Sequence, residues 1–239
     1  MVPITNVRAV LFDFDGTLVQ PAIDFSLMRR KVLEVVARFG FDPAPLAAGY
    51  VLETVALVRA RLEADLGRAA EFEQQAQQAI LEVELEAAER TEPYPRAPAM
   101  LHTLAARGYR VGIVTRNARP VVERVLARAP LEHALLLTRD DVPHVKPDPR
   151  HLLAALDALG VASAQGLMCG DHPMDVLAGQ RAGMRTVGVL TVGLDATHFA
   201  QVQPDLILSE AADLPAYLQD GAPTCRVIQF SAQRVDGPG

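Results

Sequence analysis

Beyond the first hundred residues the chain alternates between two hydrophobic periods, and this alternation restricts its fold more than any other feature. Short apolar runs at residues 109–115, 134–137, 166–170, 186–190 and 205–208 read as strands. Stretches of helical period ending near Arg107 and covering residues 120–128, 150–159 and 174–182 separate them. Strands joined by helices at this spacing imply right-handed crossovers and a mostly parallel sheet. One further strand belongs with them, at residues 8–13, far upstream of the rest. Its continuation, Val10-Leu11-Phe12-Asp13-Phe14-Asp15-Gly16-Thr17-Leu18, is a buried run that collides at once with two acids and a glycine. Open α/β sheets place their chemistry at such a strand end. Asp13 and Asp15 are separated by one residue, so a bend at Gly16 is needed to bring both carboxyl groups to one pocket. In isolation the same D-x-D-G is equally a turn whose acids cap backbone amides.

Between the first strand and the rest lies a different kind of sequence. Phe25, Met28, Val32, Val35 or Val36 and Phe39 recur at steps of three and four, which predicts a helix from Asp24 as N-cap to Gly40 as the residue after its end. Further helices are predicted over residues 45–66 and 68–90, the last rich in Gln and Glu on an outer face. Its apolar set, Phe72, Ile80, Val83 and Leu85, keeps no strict heptad, so a solvated face is expected rather than a coiled-coil arm. Residues 91–98 carry Pro93, Pro95 and Pro98 and read as a stiff return linker. The C-terminal stretch from Gln219, with a weak strand-like run at Cys225–Phe230, is expected to be a loosely ordered tail.

Composition excludes several classes. Half of the 239 residues are hydrophobic and 22% are charged, as in a globular enzyme and unlike a disordered chain. A net charge of −6 argues against a broad nucleic-acid surface, so any anion must be held locally. Two cysteines, Cys169 and Cys225, make no disulfide framework, and no run has the length of a membrane span. A cytoplasmic protein is expected. Lys31 and Lys146 are the only lysines among 23 basic residues, so a lysine here replaces the arginine this chain otherwise uses.

Three later strand ends converge on the rim that holds Asp13 and Asp15. The first runs into Thr115-Arg116-Asn117, donors to an anion or plain helix caps. The second leads to Lys146-Pro147-Asp148-Pro149, a lysine on a proline-stiffened loop. The third ends in Gly170-Asp171-His172-Pro173-Met174-Asp175, whose two acids share one face of a first helical turn. Four carboxylates at one rim would repel one another, and a divalent cation resolves this. Oxygen-only ligands suit Mg2+ better than Zn2+.

This ordered set, DFDGT, Thr115 with Asn117, Lys146 and GDHPMD, resembles the four motifs of the haloacid dehalogenase-like hydrolase superfamily over residues 8–210. The resemblance implies an α/β fold: a Rossmann-like parallel-sheet core of residues 1–19 and 93–218, with an all-helical cap inserted at residues 20–92. It implies that Asp13 attacks phosphorus and that Asp15 serves as acid and then base. Gly16, Thr17, Thr115, Arg116, Asn117 and Lys146 would line the phosphoryl site. Asp13, the Asp15 backbone carbonyl, Asp171 and Asp175 would hold Mg2+. Dehalogenases of the superfamily lack an acid at the position of Asp15, which favours a phosphatase or phosphomutase. His172-Pro173 departs from the small residue often found there, and His172 either touches substrate or tunes the loop. The TRN and PDP forms look most like the phosphoglycolate phosphatase group.

The expectation is a Mg2+-dependent phosphatase of a small phosphorylated metabolite, such as a phosphoglycolate-like ester, a sugar phosphate or a nucleoside monophosphate, in a monomer or homodimer without nucleic-acid or membrane partners. A sugar-phosphate mutase and a non-catalytic binding protein on the same fold are the alternatives. Arg29 and Arg30 are the cap cations considered for substrate charge.

Overall fold

The computed structural model describes residues 4–190 and 193–218, so the tail expected from Gln219 onward lies outside the described residues. Six strands form one sheet: β1 (Ala9–Phe12), β2 (Arg110–Val114), β3 (Leu135–Leu137), β4 (Gly166–Gly170), β5 (Arg185–Val189) and β6 (Leu206–Leu208). All pairings are parallel, in the order β3-β2-β1-β4-β5-β6. The upstream strand is therefore central. Every residue of β1 is buried, because helices cover both faces of a parallel sheet.

Alternation along β1 divides the core in two. Val10 and Phe12 face α4 (Ala97–Ala106) and α5 (Arg119–Arg128) through Leu101, Leu104, Val121 and Val122. Ala9 and Leu11 face α6 (Pro149–Leu159) and α7 (Pro173–Arg181) through Leu152, Leu156 and Ala178. The site sits where strand order reverses. Asp13 follows a strand paired on one side with β2 and on the other with β4, and its N–H donates to the Cys169 carbonyl at 2.9 Å.

Residues between β1 and α4 form a helical insert with its own core. Helices α1 (Phe25–Arg38), α2 (Val51–Arg61) and α3 (Leu66–Ala88) close around Val32, Val36, Val58, Phe72 and Ile80. The Asp24 carboxylate caps α1 by accepting from Leu27 N at 2.8 Å, and Gly40 beyond its end adopts φ +85°, as the sequence pattern predicts. The two chains joining insert to sheet run side by side, with Gln20 N donating to Glu92 O at 2.8 Å and Tyr94 N to Leu18 O at 3.0 Å.

One expected helix is not continuous. The stretch 45–66 is a 3-10 turn at Ala44–Leu46 followed by α2, which starts only at Val51. Pro43 and Pro45 remove amide donors there, and Gly49 closes the turn by donating to Leu46 O at 3.1 Å. At the other end Asp65 caps α3 and so separates the two helices. The outer face of α3 is also less uniformly wet than its Gln and Glu content suggests. Glu84 is buried.

Candidate active site

Gly16 lets β1 turn immediately after the acid pair. It adopts φ +83°, and a Cβ there would run into the Asp171 carboxylate, so only glycine lets the two segments approach. Gly170 plays the matching part at the end of β4, where a Cβ would meet the Asp175 carboxylate. These close approaches bring acids from β1 and β4 to one rim. Carboxylate oxygens of Asp13, Asp171 and Asp175 lie within 4.8 Å of one another.

Lys146 supplies the counter-charge. Its side chain is only 1% exposed, and Nζ donates to Asp13 at 2.6 Å and lies 2.7 Å from Asp175. Burial acts to lower the ammonium, but Asp13 and Asp175 together hold it above the usual lysine range. Burial likewise pushes the Asp13 carboxyl up, with Lys146 opposing. Behind the lysine, the buried His151 accepts from Lys146 N at 3.3 Å, and burial lowers its imidazole to about 3, so it is neutral.

Asp15 occupies a different environment from Asp13. Its Oδ2 accepts from Asn117 Nδ2 at 3.0 Å, and burial, followed by the nearby Asp13 charge, raises its carboxyl to about 7. Two carboxyl groups two residues apart thus differ in partner, Lys146 for Asp13 and Asn117 for Asp15. Thr115, buried at the end of β2, faces the same cavity and accepts from Asn117 N at 3.0 Å.

The residue set Asp13, Asp15, Thr115, Arg116, Asn117, Lys146, Asp171 and Asp175 lines one cavity of about 350 Å3 between sheet and insert. Gly16 and Thr17 stand behind it, Thr17 donating to Asp171 at 3.2 Å. His172 caps α7: its ring accepts from Met174 N at 3.1 Å while Asp175 accepts from His172 N at 3.1 Å. This capping shapes the loop, and His172 also lines the cavity. Arg116 reaches away from the acids to Glu53 of the insert at 2.8 Å and to Lys146 O at 3.0 Å, with its guanidinium also against the Met174 sulfur. Arg29 lines both this cavity and a second groove on the insert, whereas Arg30 lines the second groove and not the cavity.

Sequence reasoning missed a buried link between sheet and insert. Arg139, after β3, grips both oxygens of Glu84 at 2.5 and 2.8 Å, with 8% and 4% of the side chains exposed, and donates to Arg116 O at 3.0 Å. A readable signal existed: Glu84 falls four residues after Ile80 and three before Ala87, on the apolar stripe of α3.

The donor set bears on a metal. Three clustered carboxylates against one ammonium leave excess negative charge in a largely buried rim, and all available ligand atoms are oxygens, which fits a hard divalent cation. Cys169 is no ligand here: it is buried within β4, and burial pushes its thiol well up.

A central parallel strand ending in paired acids, with further acids and a lysine brought to the same rim and a helical insert over them, defines a Rossmann-like α/β architecture with a charged cavity. Residues 10–189 match the family of haloacid dehalogenase-like hydrolases, and the chain belongs to it. It is 37% identical to pyrophosphatase PpaX of Bacillus cereus (strain AH820) over 134 residues, 55% of this chain and 62% of that relative, so the match spans less than two-thirds of the relative's length. A hydrolase from Pseudomonas syringae shares the fold with a TM-score of 0.65 at 23% identity, covering 88% of this chain and 97% of that one. A phosphonoacetaldehyde hydrolase like protein from Oleispira antarctica gives 0.63 at 18% identity, covering 90% and 92%. No helix among the described residues is long and apolar enough to cross a membrane.

Proposed function

We propose that this chain is a Mg2+-dependent phosphatase that hydrolyses a small phosphomonoester through an aspartyl-phosphate on Asp13. The observation that carries the reading is the pairing of Asp13, held by Lys146 at 2.6 Å, with Asp15, whose carboxyl is raised to about 7, in one cavity. An Asp13 oxygen attacks phosphorus, the ester bond breaks, and protonated Asp15 gives its proton to the departing alkoxide. Asp15, now a carboxylate, takes a proton from water as that water attacks the phosphoryl group. Cleavage of the P–O bond to Asp13 restores its carboxylate and frees inorganic phosphate. Lys146 orients Asp13 and balances charge on the phosphoryl oxygens, and Thr115 offers them a hydroxyl. Mg2+ held by Asp13, Asp171, Asp175 and the Asp15 backbone oxygen would supply further neutralisation of those oxygens. Asn117 keeps the Asp15 side chain outside that ligand set and aimed at the leaving group.

The test is phosphate release from a panel of small phosphomonoesters with Mg2+ and with EDTA, for the wild type and Asp13→Asn. Release that EDTA removes and that the variant lacks is expected. A fully active Asp13→Asn protein overturns the mechanism.

A further inference from the structure

The floor and the roof of the cavity differ in chemistry, and the roof limits what can be bound. We infer that the cavity receives a phosphate ester whose non-phosphoryl part is apolar and carries a single acceptor or anionic group, which Arg29 meets. This rests on the phosphatase reading for the ester, and on the roof alone for the class of its organic part.

Ile23, Phe25, Met28, Val51, Leu52 and Ile80 of the insert form the wall opposite the carboxylates. The polar groups near them are already occupied. Glu84 spends both oxygens on Arg139, and Arg116 is held by Glu53 and Lys146 O. The exception is Arg29, whose Nε is buried with no hydrogen-bond partner among the described residues. Such an orphaned donor is unfavourable unless a ligand completes it. At the mouth, Phe25 and Tyr50 stand 56% and 51% exposed, so aromatic surface at the cavity is left uncovered. A ligand with an apolar body covers that surface and drives binding by its removal from water.

Competing organic parts fit this wall poorly. A sugar would bring several hydroxyls to a roof whose polar groups, apart from the paired Glu84, are Arg29 and the Tyr50 hydroxyl, and each hydroxyl buried without a partner lowers affinity by roughly tenfold. A very small dianion would leave the apolar wall facing water and gain nothing from it.

Calorimetric titration of the full chain with Mg2+ tests the inference, using non-hydrolysable phosphonates: n-hexylphosphonate, phosphonoacetate, methylenediphosphonate and 6-phosphonohexanoate. Hexylphosphonate should bind at least about tenfold more tightly than phosphonoacetate or methylenediphosphonate, with a negative heat-capacity change. The terminal carboxylate of 6-phosphonohexanoate should add a further gain that Arg29→Met removes while leaving hexylphosphonate binding within about twofold. Leu52→Asn should erase the hexyl preference; should that variant not fold, Phe25→Asn, at a solvent-facing position, should weaken it by several-fold. Equal or tighter binding of phosphonoacetate or methylenediphosphonate overturns the inference, and so does an Arg29→Met protein that keeps the carboxylate gain. Hydrolysis of acetyl phosphate, an acyl phosphate with a good leaving group and almost no organic part, is measured alongside. Its absence with the hexyl preference intact rejects the phosphatase chemistry and supports the cavity class; its presence with the preference lost does the reverse.

Discussion

The rim of the sheet and the wall of the insert face each other across one cavity, yet they are built on opposite principles. On the rim every charged group has a partner fixed within the fold: Lys146 with Asp13 and Asp175, Asn117 with Asp15, Thr17 with Asp171. On the wall most side chains are apolar, Arg29 lacks a partner for its Nε among the described residues, and two aromatic rings remain exposed. The difference teaches where each kind of selection acts. Bond-breaking needs charges preorganised before substrate arrives, whereas recognition of an organic group needs surface whose burial is completed only by the ligand. Ion pairs tie the halves together, buried at Arg139–Glu84 and more exposed at Arg116–Glu53 and where Arg124 and Arg128 meet Glu89.

The sharpest break in that comparison is at Asp13, the proposed nucleophile. Asp13→Asn should lower phosphate release from every substrate by at least ~10³-fold, because the loss is in chemistry common to all of them. Steady-state rates with acetyl phosphate and with a hexyl ester check it, and a loss confined to one of the two would remove the distinction between rim and wall. Next in size is the buried link. Arg139→Met strands the Glu84 carboxylate at the junction and should cost about 3–5 kcal/mol in urea unfolding, whereas the pair replacement Arg139→Met with Glu84→Leu should recover most of it. A double variant no better than the single one would show that the pair holds more than its own charges.

A smaller effect belongs to the rim's support. His151 is neutral in the fold, with its imidazole lowered to about 3 by burial, while the unfolded chain takes up a proton near the ordinary value of 6.5. Stability is therefore complete above pH 6.5 and falls toward pH 3 by up to ~1.4 kcal/mol per unit from this group. Unfolding curves at pH 7, 6 and 5 should show a shallower acid slope in His151→Asn; an unchanged slope would place the acid sensitivity elsewhere. The smallest effect is expected at the exposed link, where Glu53→Ala should change stability by no more than about 1 kcal/mol. A larger change would mean that this contact, and not Arg139–Glu84, holds the insert against the sheet.

Much of the rim was legible because its residues announce themselves locally. Asp13 and Asp15 break an apolar run, Lys146 is rare in an arginine-rich chain, and Asp171 and Asp175 straddle a glycine-led helix start. The wall was not legible in the same way. Ile23, Met28 and Leu52 look like ordinary apolar residues of helix period, and nothing in their spacing says that they face a cavity and not a neighbouring helix. Arg116 lies next to Thr115 and so reads as an anion ligand, but its long side chain turns to Glu53, sixty-three positions away in sequence.

Hydrophobic period, glycines and acids along the chain determined the parallel α/β architecture, the helical insert and the identity of the acids, lysine and asparagine at the rim, because each depends on interactions between residues close in sequence. Tertiary structure alone decided that β1 lies between β2 and β4, which places Asp13 beside the ends of both. It also decided that Glu84 is buried against Arg139 and that Arg29, not Arg30, looks into the cavity. These outcomes depend on which segments distant in sequence pack together. Sheet order and side-chain environment are set by the burial of whole faces, and a local pattern carries no record of its partner.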